Sequence, residues 1–307
     1  MRRTSVIAFL SLLNLLIFVC CSSAQDMNVD AGAHLHNRKS ASSATTPETQ
    51  DWAKEQVAKS PRHQEWIKLK HGNREVSAFL VYPETKNKAT AVVVIHEIFG
   101  MTDWVQSLTD QLAAAGYIAI APDLLSGVGP NGGGSSSFTD RNALGQAIRD
   151  LPPDQITADL NAAADYVAQL PAANGKVTVT GFCWGGSQTF RYATNNPNLK
   201  AAFVFYGSAP EQKEALARIK APVYGFYAGN DARINATLPK TTELMKELSK
   251  TYEPVTYEGA GHGFMRAGDA PEPKGADATE STLTSYKANK RARDEAWQRW
   301  KNALKGL

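Results

Sequence analysis

Residues 177–186 read VTVTGFCWGG, and in them a β-type run leads directly into the pentapeptide Gly181-Phe182-Cys183-Trp184-Gly185. A Gly-x-nucleophile-x-Gly sequence predicts a nucleophile elbow, which is a sharp turn between a strand and a helix. The nucleophile in such a turn has a strained backbone, and the residues two positions away on each side nearly touch, so only glycine fits there. The stretch therefore predicts that Cys183 is a nucleophilic thiol at a helix start, where the helix dipole lowers the thiol pKa. The alternative is a buried, inert cysteine, because cysteine also packs as a small apolar residue.

The sequence around this stretch alternates between strand and helix patterns. The predicted elements are an antiparallel hairpin over 65–70 and 75–82, a strand over 91–95, a helix over 105–115, a strand over 117–121, a helix over 156–170, a strand over 176–180, a helix over 187–193, strands over 201–206 and 223–227, a helix over 236–248, a strand over 254–257 and a helix over about 288–304. Strands and crossover helices alternate in this way in doubly wound, mostly parallel sheets with helices on both faces. The hairpin is expected at an edge of that sheet.

Two further reactive side chains follow predicted strands. Asp231 comes after the strand over 223–227, and His262 comes after the strand over 254–257. The ligand crevice of an open α/β sheet lies at the carboxyl ends of its strands, so we expect both side chains to meet Cys183 there. His262 would take the thiol proton, and Asp231 would hold the imidazole in the right tautomer. A helix cap is the alternative for Asp231, and a loop histidine without a catalytic role is the alternative for His262.

The order of these residues along the chain is nucleophile, acid and histidine, which is the order of the α/β-hydrolase fold. We therefore predict an α/β-hydrolase fold with a mostly parallel, doubly wound sheet, an antiparallel N-terminal hairpin and helices on both faces. Five segments resemble, more narrowly, the dienelactone hydrolase family over nearly the whole domain. They are residues 94–100 (VIHEIFG), 121–124 (APDL), 181–186 (GFCWGG), 229–231 (GND) and 260–264 (AGHGF).

The resemblance implies that the three residues form a catalytic triad and that Glu97 acts near the thiol during activation. A carboxylate in a dry site can accept the thiol proton or hold a charge-assisted hydrogen bond, and a loop-fixing hydrogen bond is the alternative role. The backbone N–H groups of Trp184 and Ile98 would form an oxyanion hole, because one follows the nucleophile and the other lies in the first βα loop. We expect His96 to be a loop or core histidine.

The resemblance also implies that two arginines bind a substrate carboxylate, and this chain matches only one of them. Arg266, close to Phe264, is the predicted substrate-binding arginine, and Phe264 is predicted to contact substrate with it. The second arginine is missing after the APDL segment, where a Gly/Ser-rich segment over 126–137 is interpreted as a mobile lid or a linker. Arg141 is a candidate replacement, although an exposed helix-start residue is the favoured interpretation. Loss of half the clamp weakens selection for a small dicarboxylate-like lactone.

The N-terminal residues predict export. Residues 1–24 combine a basic start, an apolar run and small residues before Ala24, which is typical of a secretory signal. The alternative is an uncleaved membrane anchor, although the run is short for a membrane span. Residues 25–61 are rich in Ser, Ala, Thr and Asn and predict a disordered leader, so the hydrolase domain is expected over 62–307. We expect a periplasmic or secreted protein.

Composition limits the partners and cofactors. Of three cysteines, Cys20 and Cys21 lie in the predicted signal, which leaves Cys183 alone in the mature chain. Loss of that signal removes two arginines and no acid, so the formal charge of +3 falls to +1, which favours neither a nucleic-acid nor a membrane-surface partner. His34 and His36 are expected in a solvated tail and not at a metal site. No metal or organic cofactor is expected, and the oligomeric state stays open.

These observations predict a hydrolase that cleaves a carboxylic ester or lactone through an acyl-thioenzyme on Cys183. Activated esters such as enol lactones suit a thiol best, because a good leaving group compensates for the ready loss of thiolate from the tetrahedral intermediate. Two other functions stay open. One is a non-catalytic binding protein on a hydrolase fold. The other is a thiol redox sensor, which would need a depressed thiol pKa.

Overall fold

The computed structural model describes residues 50–307. The predicted signal over 1–24 and the predicted leader up to residue 49 lie outside the described residues. The described strands are β1 (Gln64–His71), β2 (Arg74–Val81), β3 (Ala89–Ile95), β4 (Ile118–Pro122), β5 (Ala173–Phe182), β6 (Ala202–Phe205), β7 (Val223–Ala228) and β8 (Tyr252–Tyr257). The described helices are α1 (Asp51–Ala58), α2 (Asp103–Ala114), α3 (Arg141–Arg149), α4 (Pro153–Gln169), α5 (Trp184–Asn195), α6 (Lys213–Ala217), α7 (Ala232–Asn235), α8 (Leu238–Glu247), α9 (Phe264–Asp269) and α10 (Glu280–Lys305). None of these helices has both the length and the apolarity needed to cross a bilayer.

The strands form one sheet in the order β1-β2-β4-β3-β5-β6-β7-β8. The pairs β1–β2 and β2–β4 are antiparallel, and all other neighbouring strands are parallel. Every residue of β3 and β4 is buried, as expected for strands covered on both faces. The predicted edge hairpin and the mostly parallel sheet are confirmed.

Alternate residues of β3 supply two separate cores on the two faces of the sheet. Val93 and Ile95 belong to the core that α4, α5 and α8 cover. Val92 and Val94 belong to the other core, which α2 and α10 cover with fully buried aromatic side chains. Successive side chains of a strand point to opposite faces, so a continuous apolar run such as β3 requires helices on both sides.

Some helix boundaries differ from the predicted ones. Helix α5 begins at Trp184, directly after Cys183, and not at Ser187, because the elbow turn starts the helix at once. Helix α2 begins before residue 105, because the Thr102 side chain caps it by accepting a hydrogen bond from the Val105 N–H at 3.4 Å. Helices α3 and α7 were not predicted, and α7 is too short for a periodic pattern.

Residues 50–61 were assigned to the disordered leader, and the structure corrects that prediction. Helix α1 packs against α2 with Ala53 fully buried. The Trp104 N–H donates to the side chain of Gln50 at 2.9 Å, and the Ser107 hydroxyl donates to Gln56 at 2.8 Å. Polar side chains of this segment form hydrogen bonds with α2. A polar composition was therefore compatible with a packed helix and did not indicate disorder.

Candidate active site

Cys183 lies at the turn between β5 and α5, as the elbow pattern predicts. Its backbone is strained, with φ of +57° and ψ of −117°. A Cβ at position 181 would overlap the Gly185 carbonyl, and a Cβ at position 185 would overlap the carbonyls of Ile95 and His96. Strand β5, helix α5 and the end of β3 therefore approach so closely that both outer positions of the elbow require glycine.

The thiol of Cys183 is held in its neutral form. Burial is the main cause and the negative charge of Glu97 the second, and together they raise the thiol pKa to about 11. The N–H groups of Trp184 and Ile98 and the positive charge of Arg233 act in the opposite direction. The predicted lowering of this pKa by the helix dipole is therefore wrong, because loss of water outweighs the favourable dipole and amides.

The predicted oxyanion-hole amides lie together near the sulfur. The N–H groups of both Trp184 and Ile98 favour the thiolate, which requires both to be near the sulfur. Trp184 begins α5, and Ile98 lies in the loop after β3, where the Gly100 N–H donates to the Glu97 carbonyl at 3.1 Å. The pair can accept a negative oxygen next to the sulfur.

Asp231 and His262 are in direct contact. The distance between His262 Nδ1 and Asp231 Oδ2 is 2.5 Å. The other oxygen of Asp231 accepts from the Ile234 N–H at 3.3 Å and caps α7, so the carboxylate contacts the imidazole and also caps a helix. The loop that carries His262 is tied to α10, since the Gly261 N–H donates to the Asn289 side chain at 2.8 Å.

The imidazole and the thiol are not hydrogen-bonded to each other in the described part of the chain. Within residues 50–307 no hydrogen bond joins His262 to Cys183, whereas Glu97 acts strongly on the thiol. The ring of Tyr206 packs edge-on against the imidazole, with 5.0 Å between ring centroids. The resting thiol is therefore affected by the charge of Glu97 and forms no hydrogen bond with the imidazole.

Glu97 forms a buried ion pair with Arg266. Arg266 Nε donates to Glu97 Oε2 at 3.0 Å, and the Glu97 side chain is 2% exposed. The carboxylate raises the pKa of Arg266, more than burial lowers it. The Arg266 guanidinium also lies 5.7 Å from the centroid of the Phe99 ring, and the Arg141 guanidinium lies 5.0 Å from the same centroid. Arg141 is an exposed residue at the start of α3, as predicted, and it reaches the first βα loop through Phe99.

The Gly/Ser-rich segment is anchored and is not a loose lid. Asp123 accepts from the Ser135 N–H at 2.8 Å and from the Ser135 hydroxyl at 2.6 Å. The Met101 N–H in turn donates to the Ser135 hydroxyl oxygen at 3.1 Å. Asp123 therefore ties this segment to the loop that carries Glu97 and Ile98.

Phe264 and His96 are both fully buried and pack next to other residues of the site. Phe264 is fully buried against Tyr206 and Tyr257, so it packs beneath the site and does not line its open side, which corrects the expectation of a substrate contact. His96 is also fully buried and stacks on the Trp184 ring at 5.5 Å, as expected for a core histidine. Burial lowers the pKa of His96 and keeps its imidazole neutral.

Sequence reasoning missed two residues near the thiol. Tyr206 was assigned only to a strand, and Arg233 to a loop before a helix. Gly207 follows Tyr206 directly, and a Cβ at this glycine would overlap Gly186 of α5. Within residues 50–307 no group of three His, Cys, Asp or Glu side chains is arranged to hold a metal ion.

Comparison with known proteins gives consistent matches. The model of the dienelactone hydrolase family matches residues 76–307. A protein of Saccharolobus solfataricus named "Putative carboxymethylenebutenolidase" is 31% identical over 264 residues, which cover 75% of this chain and 94% of that protein. One of the same name from Methylorubrum extorquens is 31% identical over 210 residues, covering 64% of this chain and 71% of that protein. A solved structure named "Putative Dienelactone Hydrolase" from Klebsiella pneumoniae has a TM-score of 0.66 and 26% identity, covering 80% of this chain and 99% of the other.

Proposed function

Because the chain belongs to the dienelactone hydrolase family, we propose that it cleaves its ester or lactone with Cys183 as nucleophile, His262 as base and Asp231 as the group that orients the imidazole. The family and its relatives make the chain a carboxylic ester hydrolase that acts on a small molecule. One observation carries the proposed triad. The 2.5 Å contact between Asp231 and His262 lies at the same end of the sheet as the strained Cys183.

The proposed reaction has two halves, and every proton is accounted for. The thiol proton passes to His262 while the sulfur forms a bond to the carbonyl carbon, and the carbonyl oxygen becomes an oxyanion held by the Trp184 and Ile98 amides. Collapse of this intermediate breaks the ester C–O bond, and His262 gives its proton to the leaving oxygen. Water, deprotonated by His262, then attacks the thioester and releases the acid and the thiol. These steps use no metal or organic cofactor.

The resting position of the sulfur adds a step before attack. The thiol is neutral and near Glu97, so a rotation about the Cα–Cβ bond of Cys183 is proposed to bring the sulfur to His262. Glu97 is proposed to act on the thiol before that rotation. Its negative charge disfavours the thiolate and so keeps the resting thiol protonated. Its ion pair with Arg266 holds the carboxylate in place.

Activated esters and enol lactones are the proposed substrates. A thiolate is expelled easily from a tetrahedral intermediate, so the leaving oxygen must also be a good leaving group. Arg266 is the proposed contact for an acidic substrate group, and its side chain is 33% exposed. With a single matched arginine, we expect weaker discrimination between charged and neutral esters than a two-arginine clamp would give.

The redox-sensor alternative is disfavoured by the state of the thiol. Sensor cysteines need a depressed pKa and access to solvent. Burial and Glu97 raise the pKa of Cys183 to about 11 instead. No observation favours this function over ester hydrolysis.

Activity assays with Cys183→Ala test the proposal. The intact protein should hydrolyse an aryl acetate and a dienelactone, and the variant should lose about 10³-fold or more in kcat/KM, because the acyl group has no sulfur to bind. A chain with Cys20→Ser and Cys21→Ser is the control and should keep its activity. Undiminished hydrolysis by Cys183→Ala would contradict the triad, and no hydrolysis by the intact protein would favour the binding-protein alternative.

Export is part of the same proposal. The basic start, the apolar run and the small residues before Ala24 support cleavage of a secretory signal. The N-terminal sequences of the protein in the periplasmic and membrane fractions test it, and an intact N-terminus in the membrane fraction would favour the anchored alternative.

A further inference from the structure

Tyr206, directly after β6, has a strained backbone. It is one of four non-glycine residues with positive φ among residues 50–307, and another of the four is Cys183. Its φ is +40°, and its N–H donates to the Phe226 carbonyl at 2.8 Å. A bulky side chain in this conformation costs free energy, and strain of this kind collects at functional sites.

The Tyr206 hydroxyl is buried without a hydrogen-bond partner. The residue is fully buried, and the hydroxyl oxygen makes no hydrogen bond in the structure. The Met265 N–H approaches it without forming a bond of normal geometry. An unsatisfied buried hydroxyl destabilises the fold, whereas a phenylalanine at the same place would not.

Tyr206 lies among the residues of the candidate site. Burial, the charge of Glu97 and the Cys183 thiol raise the pKa of Tyr206, while Arg266 lowers it. The phenol therefore keeps its proton and remains a neutral donor. The same ring packs edge-on against His262 at 5.0 Å and against Phe264 at 5.3 Å. The ring is thus held on two sides, and the hydroxyl is close enough to the thiol for the two groups to interact electrostatically.

During the reaction the thiolate loses the hydrogen-bond donors that act on the resting sulfur. In the resting structure the amides of Trp184 and Ile98 act on the sulfur. During attack the same two amides must bind the substrate oxyanion, so the sulfur loses them as it gains charge. A further donor near the sulfur would compensate for that loss.

We propose that Tyr206 is a further catalytic residue, whose O–H donates a hydrogen bond to the Cys183 sulfur once the thiolate forms. The inference rests on the proposed function, because it takes Cys183 as the nucleophile. No proton leaves Tyr206, since the thiol proton goes to His262 and the hydroxyl keeps its own. The other charged side chains that act on the thiol are Glu97, Arg233 and Arg266, and His262 packs against the Tyr206 ring.

Tyr206→Phe tests this, because it removes only the oxygen and keeps the ring packed. The readout is the rate of alkylation of Cys183 by iodoacetamide at pH 8, followed on the tryptic peptide 177–191, which contains no other cysteine. Loss of the donor should slow alkylation about tenfold, equal to a rise of about one unit in the thiol pKa. The kcat/KM for an aryl acetate should fall by at least the same factor, with KM little changed. The melting temperature should stay the same or rise, since the hydroxyl has no partner at rest.

Tyr257→Phe is the matched control. Tyr257 is also buried, its hydroxyl also makes no hydrogen bond of normal geometry, and it also contacts Phe264. Its hydroxyl lies near Arg299 and not near the thiol. Tyr257→Phe should therefore leave the alkylation rate and kcat/KM unchanged.

Each outcome decides the inference. Alkylation of Tyr206→Phe at the rate of the intact protein would overturn it, and so would a large loss of stability, because the hydroxyl would then have a structural role. If the intact protein hydrolyses no ester and Tyr206→Phe still slows alkylation, the proposed function fails and the contact between Tyr206 and the thiolate stands.

Discussion

Burial and a nearby carboxylate raise the pKa of the Cys183 thiol more than two amides and the helix start lower it. The resulting pKa of about 11 leaves roughly one thiol in ten thousand ionised at pH 7. Slow reaction with alkylating or oxidising reagents is expected for such a thiol. In the proposed mechanism, the thiolate is therefore generated only after the substrate has bound.

Glu97→Gln is expected to make the resting thiol more reactive. The thiol pKa is raised in part by the negative charge of Glu97, so a neutral amide lowers it, and the unpaired Arg266 cation lowers it further. Alkylation of Cys183 at pH 8 should become about tenfold faster, which corresponds to about one pKa unit. Ester hydrolysis should fall nevertheless if Glu97 is needed during activation.

Glu253→Gln serves as the control for this measurement. Glu253 lies on β8 with a 55% exposed side chain near Arg299, and it is not among the groups that act on the thiol. Cys183 in Glu253→Gln should be alkylated at the same rate as in the intact protein. Unchanged or slower alkylation in Glu97→Gln would show that the carboxylate does not oppose thiolate formation.

At the scale of elements, the site depends on how closely β5, α5 and β3 approach one another. The strain at Cys183 persists because backbone carbonyls from β3 and α5 surround the elbow on both sides. The loop after β3 is fixed in turn, since Ser135 bonds both Asp123 and the Met101 N–H. These contacts place the Ile98 and Trp184 amides before any substrate arrives, and such preorganisation makes an oxyanion hole effective.

Substitution of alanine for glycine should change the stability of the fold in opposite directions at the elbow and at an ordinary helix position. Gly185→Ala should destabilise the fold by about 3 kcal/mol or more, because its Cβ would overlap two backbone carbonyls that cannot move aside. Gly145→Ala is the control, since a Cβ in α3 would meet only ordinary contacts at 3.6 Å or more. That variant should be stabilised by about 0.5–1 kcal/mol. Thermal unfolding of both proteins measures this, and equal melting temperatures would argue against the close approach at the elbow.

At the scale of the whole molecule, α1 extends the domain beyond the sheet and its covering helices. It packs on α2, and the following Arg62 donates to Asp110 at 2.6 and 2.9 Å. Helix α2 also contributes Trp104 to the aromatic core, next to Phe182 at 5.1 Å. A segment before the first strand is therefore connected, through α2, to Phe182, which precedes Cys183.

Two truncated chains test the contribution of α1. A chain that begins at Gln50 keeps α1, and a chain that begins at Ser60 lacks it. The shorter chain loses the buried Ala53 and the hydrogen bonds of Gln50 and Gln56, so its free energy of unfolding should fall by about 1–3 kcal/mol. Denaturant unfolding measures the difference. Equal stability of the two chains would show that α1 packs without stabilising the domain.

Local patterns predicted much of the fold and the identity of the candidate triad. The apolar run 91–95 predicted a strand buried on both faces, and the glycines around Cys183 predicted the elbow, because both follow from sterics and periodicity within a few residues. Asp231 and His262 were predicted as partners because strand ends of a parallel sheet share one edge. Helix α1 was missed because its partners lie on α2, about fifty residues further along the chain.

The sequence by itself determined where the chain bends at Cys183, which strands are buried and which residues follow them. Only the tertiary structure decided the charge state of the thiol, the pairing of Glu97 with Arg266, the burial of Phe264 and the position of the Tyr206 hydroxyl. The physical reason is the separation along the chain over which each kind of interaction acts. Backbone sterics act between neighbours in the chain, whereas desolvation and Coulomb interactions depend on which distant segments meet and how much water they exclude.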